Sequence, residues 1–74
     1  MTVREAIANN ITADTCKINL CFPNGDYIMD GDYILNISPD DWDKDTRITH
    51  LLDRNCFGGY QMMGGILLID LMYS

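Results

Sequence analysis

The sequence predicts an α+β domain in which a small antiparallel sheet of three to four strands packs against two helices, in the order α-β-β-(β)-α-β. Three observations predict it. A helix-start motif with apolar residues at helical spacing opens the chain, β-forming runs split by turn residues fill its middle, and a continuous apolar run, 66–73, comes near its end.

The opening is the clearest local signal. Thr2-Val3-Arg4-Glu5 has the form of a capping box, in which the Thr2 hydroxyl accepts from the Glu5 amide and the Glu5 carboxylate reaches back to the Thr2 amide. Val3, Ala6, Ile7 and Ile11 then lie on one face at helical spacing, with Asn9-Asn10 as a frayed end. That face is expected to pack on the sheet.

Residues 15–22 form the first expected strand, with Cys16, Ile18, Leu20 and Phe22 on one side and Lys17, Asn19 and Cys21 on the other. Phe22-Pro23-Asn24-Gly25 supplies hairpin-turn chemistry, with proline preset for the second position and glycine free to take positive φ. A six-residue near-repeat follows, 25–30 and 31–36. It reads as two short Tyr-Ile strands turned at Asp30-Gly31-Asp32, with one long strand bulged at Gly31 as the rival.

Ser38-Pro39-Asp40-Asp41 predicts the start of a second helix: serine caps, proline fits the first turn, and acids favour the positive end of the helix dipole. Trp42 begins its apolar side. Ile48, Leu51 and Leu52 resume it only after the polar stretch 43–47, so a break near Asp45 is expected, with Gly58-Gly59 as the far limit. Residues 60–63, between two glycine pairs, suit a tight connection or a short strand. The run 66–73 suits a central strand buried on most of both faces.

Length and charge bound the function. Seventy-four residues make a single domain, and one this small buries only about 60% of the surface its unfolded chain exposes. Apolar residues at 47% and charged residues at 22% are globular proportions, not those of a disordered chain. The net charge of −6 opposes direct nucleic-acid binding, because phosphates need lysine and arginine to neutralise them. It favours a protein partner with a basic surface. No segment reaches the ~18 apolar residues of a membrane helix, and no signal-peptide pattern opens the chain. With an odd cysteine count, three, these features lead to the expectation of a cytoplasmic protein with free thiols and no cofactor.

Four chemistries have some of their residues here and lack the rest. Asp41, Asp43 and Asp45 alternate like the first ligands of a calcium loop, but Thr46 and Leu52 stand where glycine and a bidentate glutamate are needed. Cys16, Cys21, His50 and Cys56 have the types for a Cys₃His zinc site without the close spacing that clusters ligands. A cysteine nucleophile with His50 as base lacks any local signature, and the glycine pairs lack the lysine of a phosphate loop. No catalytic activity is therefore expected.

What remains is the acidic middle of the chain. Seven of the eleven acids lie between Asp26 and Asp45, a window whose only base is Lys44. The expected partner-binding residues are Asp26, Tyr27, Asp30, Asp32, Tyr33, Asp40, Asp41, Trp42, Asp43 and Asp45, aromatic anchors set among carboxylates. The alternative role for Trp42 and the tyrosines is to finish the core. The first functional expectation is a protein that occupies a basic, nucleic-acid-binding surface of its partner. By composition alone it has the character of virus-encoded anti-defence inhibitors such as anti-CRISPR proteins. The second is an assembly protein, possible as a homodimer, that pairs through a strand edge if the apolar C-terminal strand lies at one.

Overall fold

The computed structural model describes residues 1–21 and 33–72. Within them one helix, α1 (Val3–Asn10), and four strands, β1 (Lys17–Cys21), β2 (Tyr33–Ile37), β3 (Cys56–Met62) and β4 (Ile66–Leu71), form a small α+β fold. The strands make a single sheet in the order β2-β1-β4-β3.

The capping box forms as its residues require. Thr2 N donates to Glu5 Oε1 at 2.9 Å and Glu5 N donates to Thr2 Oγ1 at 3.2 Å, satisfying two amides that the first turn leaves without helical partners. The Thr2 backbone N–H, and after it the Thr2 hydroxyl, which donates to the same Oε1 at 3.0 Å, hold the Glu5 carboxyl below its ordinary pKa. Val3, Ala6 and Ile7 are buried, and α1 lies over the β3–β4 side of the sheet.

The sheet is mixed, which corrects the antiparallel expectation. β1 pairs antiparallel with β2, and β4 pairs antiparallel with β3, but β1 and β4 run parallel, with Ile18 beside Leu67 and Leu20 beside Ile69. A parallel pair needs a long crossover, and here β2, the following turns, and β3 supply it. Alternation then sorts the side chains. Ile18, Leu20, Leu67, Ile69 and Leu71 are buried on the face beneath α1, where Ile37, Ile48, Leu52 and Cys56 complete the core. Lys17, Asn19, Cys21, Ile66, Leu68 and Asp70 occupy the opposite face. Cys16, expected with Ile18 and Leu20, is exposed.

The second predicted helix is absent. After β2 the chain makes two 3₁₀ turns, 42–44 and 49–51, instead of an α-helix from Pro39. The Ser38 hydroxyl does bond forward, accepting from Asp40 N at 3.3 Å, but only as a local turn. Five polar residues separate Trp42 from Ile48, so a helix there would lack a continuous apolar stripe. Asp45 Oδ1 also takes the Arg47 amide at 2.9 Å, a side-chain bond that competes with helical pairing. The residues freed from that helix include β3, whose Gly58-Gly59 begins as the helix limit in the sequence reading and is strand in the structure. The expected turns at Phe22-Pro23-Asn24-Gly25 and Asp30-Gly31-Asp32 lie outside the described residues.

Glycine is required at two points for different reasons. Gly65, at φ +74° in the turn from β3 to β4, would place a Cβ 2.7 Å from both Asp14 O and Cys16 Sγ. Gly59 faces α1, where a Cβ would lie 3.0 Å from Asn10 Nδ2 and Ile69 Cδ1 and 3.4 Å from Ala6 O. Gly64, by contrast, has φ +81° but open space around its missing Cβ.

Urea denaturation should therefore rank three variants. Gly64→Ala is expected to cost about 1 kcal/mol, from the left-handed backbone alone. Gly65→Ala should cost more, because two contacts must also give way. Thr2→Ala should remove about 1 kcal/mol by breaking the cap. Equal effects at Gly64 and Gly65 would contradict the close approach at Gly65.

Candidate functional site

The described acids of the expected patch follow β2. Asp40, Asp41 and Asp43 are exposed, on the turn that leaves β2 and in the first 3₁₀ turn. No ion pair engages any of the three among the described residues, and Lys44 is the only base within their stretch. They present three carboxylates within four residues.

Asp45 differs. Its Oδ2 lies 2.7 Å from Arg47 Nη2 and its Oδ1 accepts from Arg47 Nε at 3.0 Å, a two-toothed ion pair. The Arg47 hydrogen bonds hold the Asp45 carboxyl below its usual pKa. Arg47 Nη1 also donates to Leu35 O at 3.0 Å, so the pair ties the 3₁₀ segment to the outer side of β2. Asp45 is thus neutralised and structural, while its three neighbours remain available.

Trp42 is half-buried and packs against the core cluster, as Ile11, Ile34 and Leu51 also do. Its ring therefore contributes packing, with only part of its surface left to meet a partner. Tyr33 opens β2 opposite Cys21. Asp26, Tyr27, Asp30 and Asp32 lie outside the described residues. The structure thus brings Asp40, Asp41, Asp43 and Trp42 together and ties Asp45 to Arg47 beside them.

The expected metal candidates are scattered. Cys21 lies on the outer face of the sheet, Cys56 is buried in the core, Cys16 is exposed near the β3–β4 turn, and His50 is exposed in the second 3₁₀ turn. Among the described residues no group of three His, Cys, Asp or Glu side chains is placed to hold an ion, the Asp41, Asp43, Asp45 alternation included. No helix among them is long and apolar enough to cross a membrane.

One polar contact on the sheet escaped the sequence. The parallel register sets Cys21 beside Asp70, and Cys21 Sγ donates to Asp70 Oδ1 at 3.4 Å. Burial, then the hydrogen bond and charge of Asp70, push the thiol up to about 11. A thiol so raised is a poor nucleophile at neutral pH. Only the β1–β4 pairing unites the two residues, and nothing in their separation of forty-nine positions announces it.

A second surface gathers on β3. Phe57, Tyr60 and Met62 are 61%, 52% and 49% exposed, and Met63 in the turn beyond is 95% exposed. β3 forms one margin of the sheet. Comparison with known proteins adds no identity, since no family model, curated protein or solved structure matches the chain.

The thiols make two checks. Cys16 should react with a disulfide reagent at neutral pH well before Cys21 and Cys56, and comparable rates at all three would contradict their placement. The Cys21 thiol, raised from 9.0 to about 11, contributes stability that is present below pH 9 and is lost as pH rises through about 11. Urea midpoints across that window should fall more steeply for the native chain than for Cys21→Ala; parallel profiles would show that the thiol is not held in its protonated form.

Proposed function

We propose that the chain acts by binding a protein partner, using Asp40, Asp41 and Asp43 to occupy a basic surface that otherwise holds nucleic acid. The observation that carries the reading is the exposure of these three carboxylates, with no ion-pair partner among the described residues, next to an Asp45 already neutralised by Arg47. A short row of like charges presents the sign that a basic groove binds, and it speeds encounter with such a groove. The net charge of −6 keeps the rest of the molecule from opposing that approach.

The inhibitory form of the reading follows from competition. A basic groove filled by carboxylates is closed to phosphates, so a small protein needs no chemistry of its own to block it. The virus-encoded, anti-defence setting rests on size, acidity and the lack of a catalytic motif. The aromatic share of the contact falls to the exposed part of Trp42.

The test is a competition. The tagged chain is used to recover its partner from its source cells, and the purified partner is then titrated with labelled nucleic acid in the presence of the chain. The native chain should displace the nucleic acid, with an affinity that falls as salt is raised. Asp40→Asn, Asp41→Asn and Asp43→Asn combined should weaken displacement at least ~10-fold, about 1.4 kcal/mol. Undiminished displacement by the triple variant would overturn the reading.

A further inference from the structure

The two margins of the sheet are built differently. At β2 the Leu35 carbonyl is taken by the Arg47 guanidinium, Asn36 sits at φ 60° in a bulge opposite Asn19, and acids crowd the chain just beyond. Charge and bulging of this kind are how natural edges resist pairing with other strands. β3 carries neither defence along most of its length. Its seven residues, Cys-Phe-Gly-Gly-Tyr-Gln-Met, include no charged residue and no proline, and it is the longest strand among the described residues.

Only the first residue of that margin is closed. Cys56 N donates to Met1 O at 2.8 Å and Thr2 bridges Asn55. From Phe57 to Met62, among the described residues, the backbone of β3 is bonded by β4 and, at Gly58, by the sulfur of its own Cys56. The bulge, marked by the shift between Cys56 and Gly58, is confined to the same closed end.

We infer that β3 is a self-pairing edge, at which a second copy of this chain adds its own β3 in antiparallel register to make a continuous eight-stranded sheet. This goes beyond the acidic-surface reading and does not depend on it. Charge favours a second copy at this margin. Asp40, Asp41 and Asp43 lie at the β2 end of the sheet, so a two-fold axis at β3 sends both acidic groups to the far ends and joins uncharged strands.

The sequence of β3 also matches itself. Antiparallel neighbours directly opposite one another share a face of the sheet, so a two-fold axis must pair positions of like orientation. An axis through Tyr60 sets the two Tyr60 rings side by side and places each Met62 against the other chain's Gly58. Gly58 has nothing within 4 Å of where its Cβ would stand, so the methionine covers bare backbone. Half-exposed Tyr60 and Met62 thereby acquire cross-strand partners.

Sedimentation equilibrium from micromolar to millimolar chain should show the mass rising from 8.4 kDa toward twice that value. Raising salt should strengthen the dimer, because it screens two chains of charge −6, whereas it weakens capture of a basic partner. Tyr60→Lys, which sets two cations at the axis, should raise the dissociation constant at least ~10-fold. In a Cys16→Ser background, Tyr60→Cys should be linked rapidly between chains by diamide. Met63→Cys should not, because three residues from the axis it lies about 20 Å from its own copy. A monomer at every concentration, a dimer indifferent to Tyr60→Lys, or equal linking at 60 and 63 would each overturn the inference. Failure of the Asp-to-Asn competition test would leave all three results unaffected.

Discussion

The fold depends on β4 taking the centre of the sheet. It runs parallel to β1 on one side and antiparallel to β3 on the other, and it sends Leu67, Ile69 and Leu71 into the core. Removing it would leave the β1–β2 pair, a lone β3 with no strand partner, and α1 with little to cover. The parallel join also carries a loop-closure cost, because residues 17–21 and 66–70 meet only across the whole intervening chain, whereas each has an antiparallel partner nearer in sequence. Its central place suits the apolar run 66–71: only Asp70 interrupts it, and Asp70 is used by Cys21.

How much of this could be read in advance varied with how local the cause was. The capping box and the buried side of α1 were legible because every contact that defines them lies within one turn. The apolar run was legible as a central strand because its residues are alternately buried and half-buried, so neither face of β4 is exposed. Three features were not. The run 38–45 has the residues of a helix start, yet those residues serve turns as readily, and the missing apolar stripe decided between them. The first half of β3 was hidden because Gly58-Gly59 reads as an ending, although the strand is bulged between Cys56 and Gly58 and Gly59 makes room for α1; the second half was legible as one of two alternatives for residues 60–63. The parallel register was invisible because nothing in β1 or β4 alone encodes direction.

The acidic candidates divide on the same principle. Composition placed seven acids in one window, and it is geometry that separates Asp45, spent on Arg47, from Asp40, Asp41 and Asp43, which face solvent. Trp42 shows the limit of aromatic content as a guide: the ring packs against the core from the same short turn that displays the carboxylates. The acidic turn and the uncharged β3 margin end up at opposite ends of one sheet, so the molecule has two unlike surfaces that do not compete for the same ground.

Gly59 ties three elements into one allowance of space. The missing side chain lets α1 settle until Asn10, Ala6 and Ile69 all approach the same point on β3, and Asn10 secures its position there by donating to Ala6 O at 2.7 Å. Sequence drift at any of these positions is consequently not independent. A larger residue at 59 is tolerable only where 10 or 69 has become smaller, and a smaller residue at 69 opens a gap that glycine cannot fill. Descendants of this chain should carry the trace of that exchange as paired changes between helix and sheet, long after the individual residues have ceased to resemble those seen here.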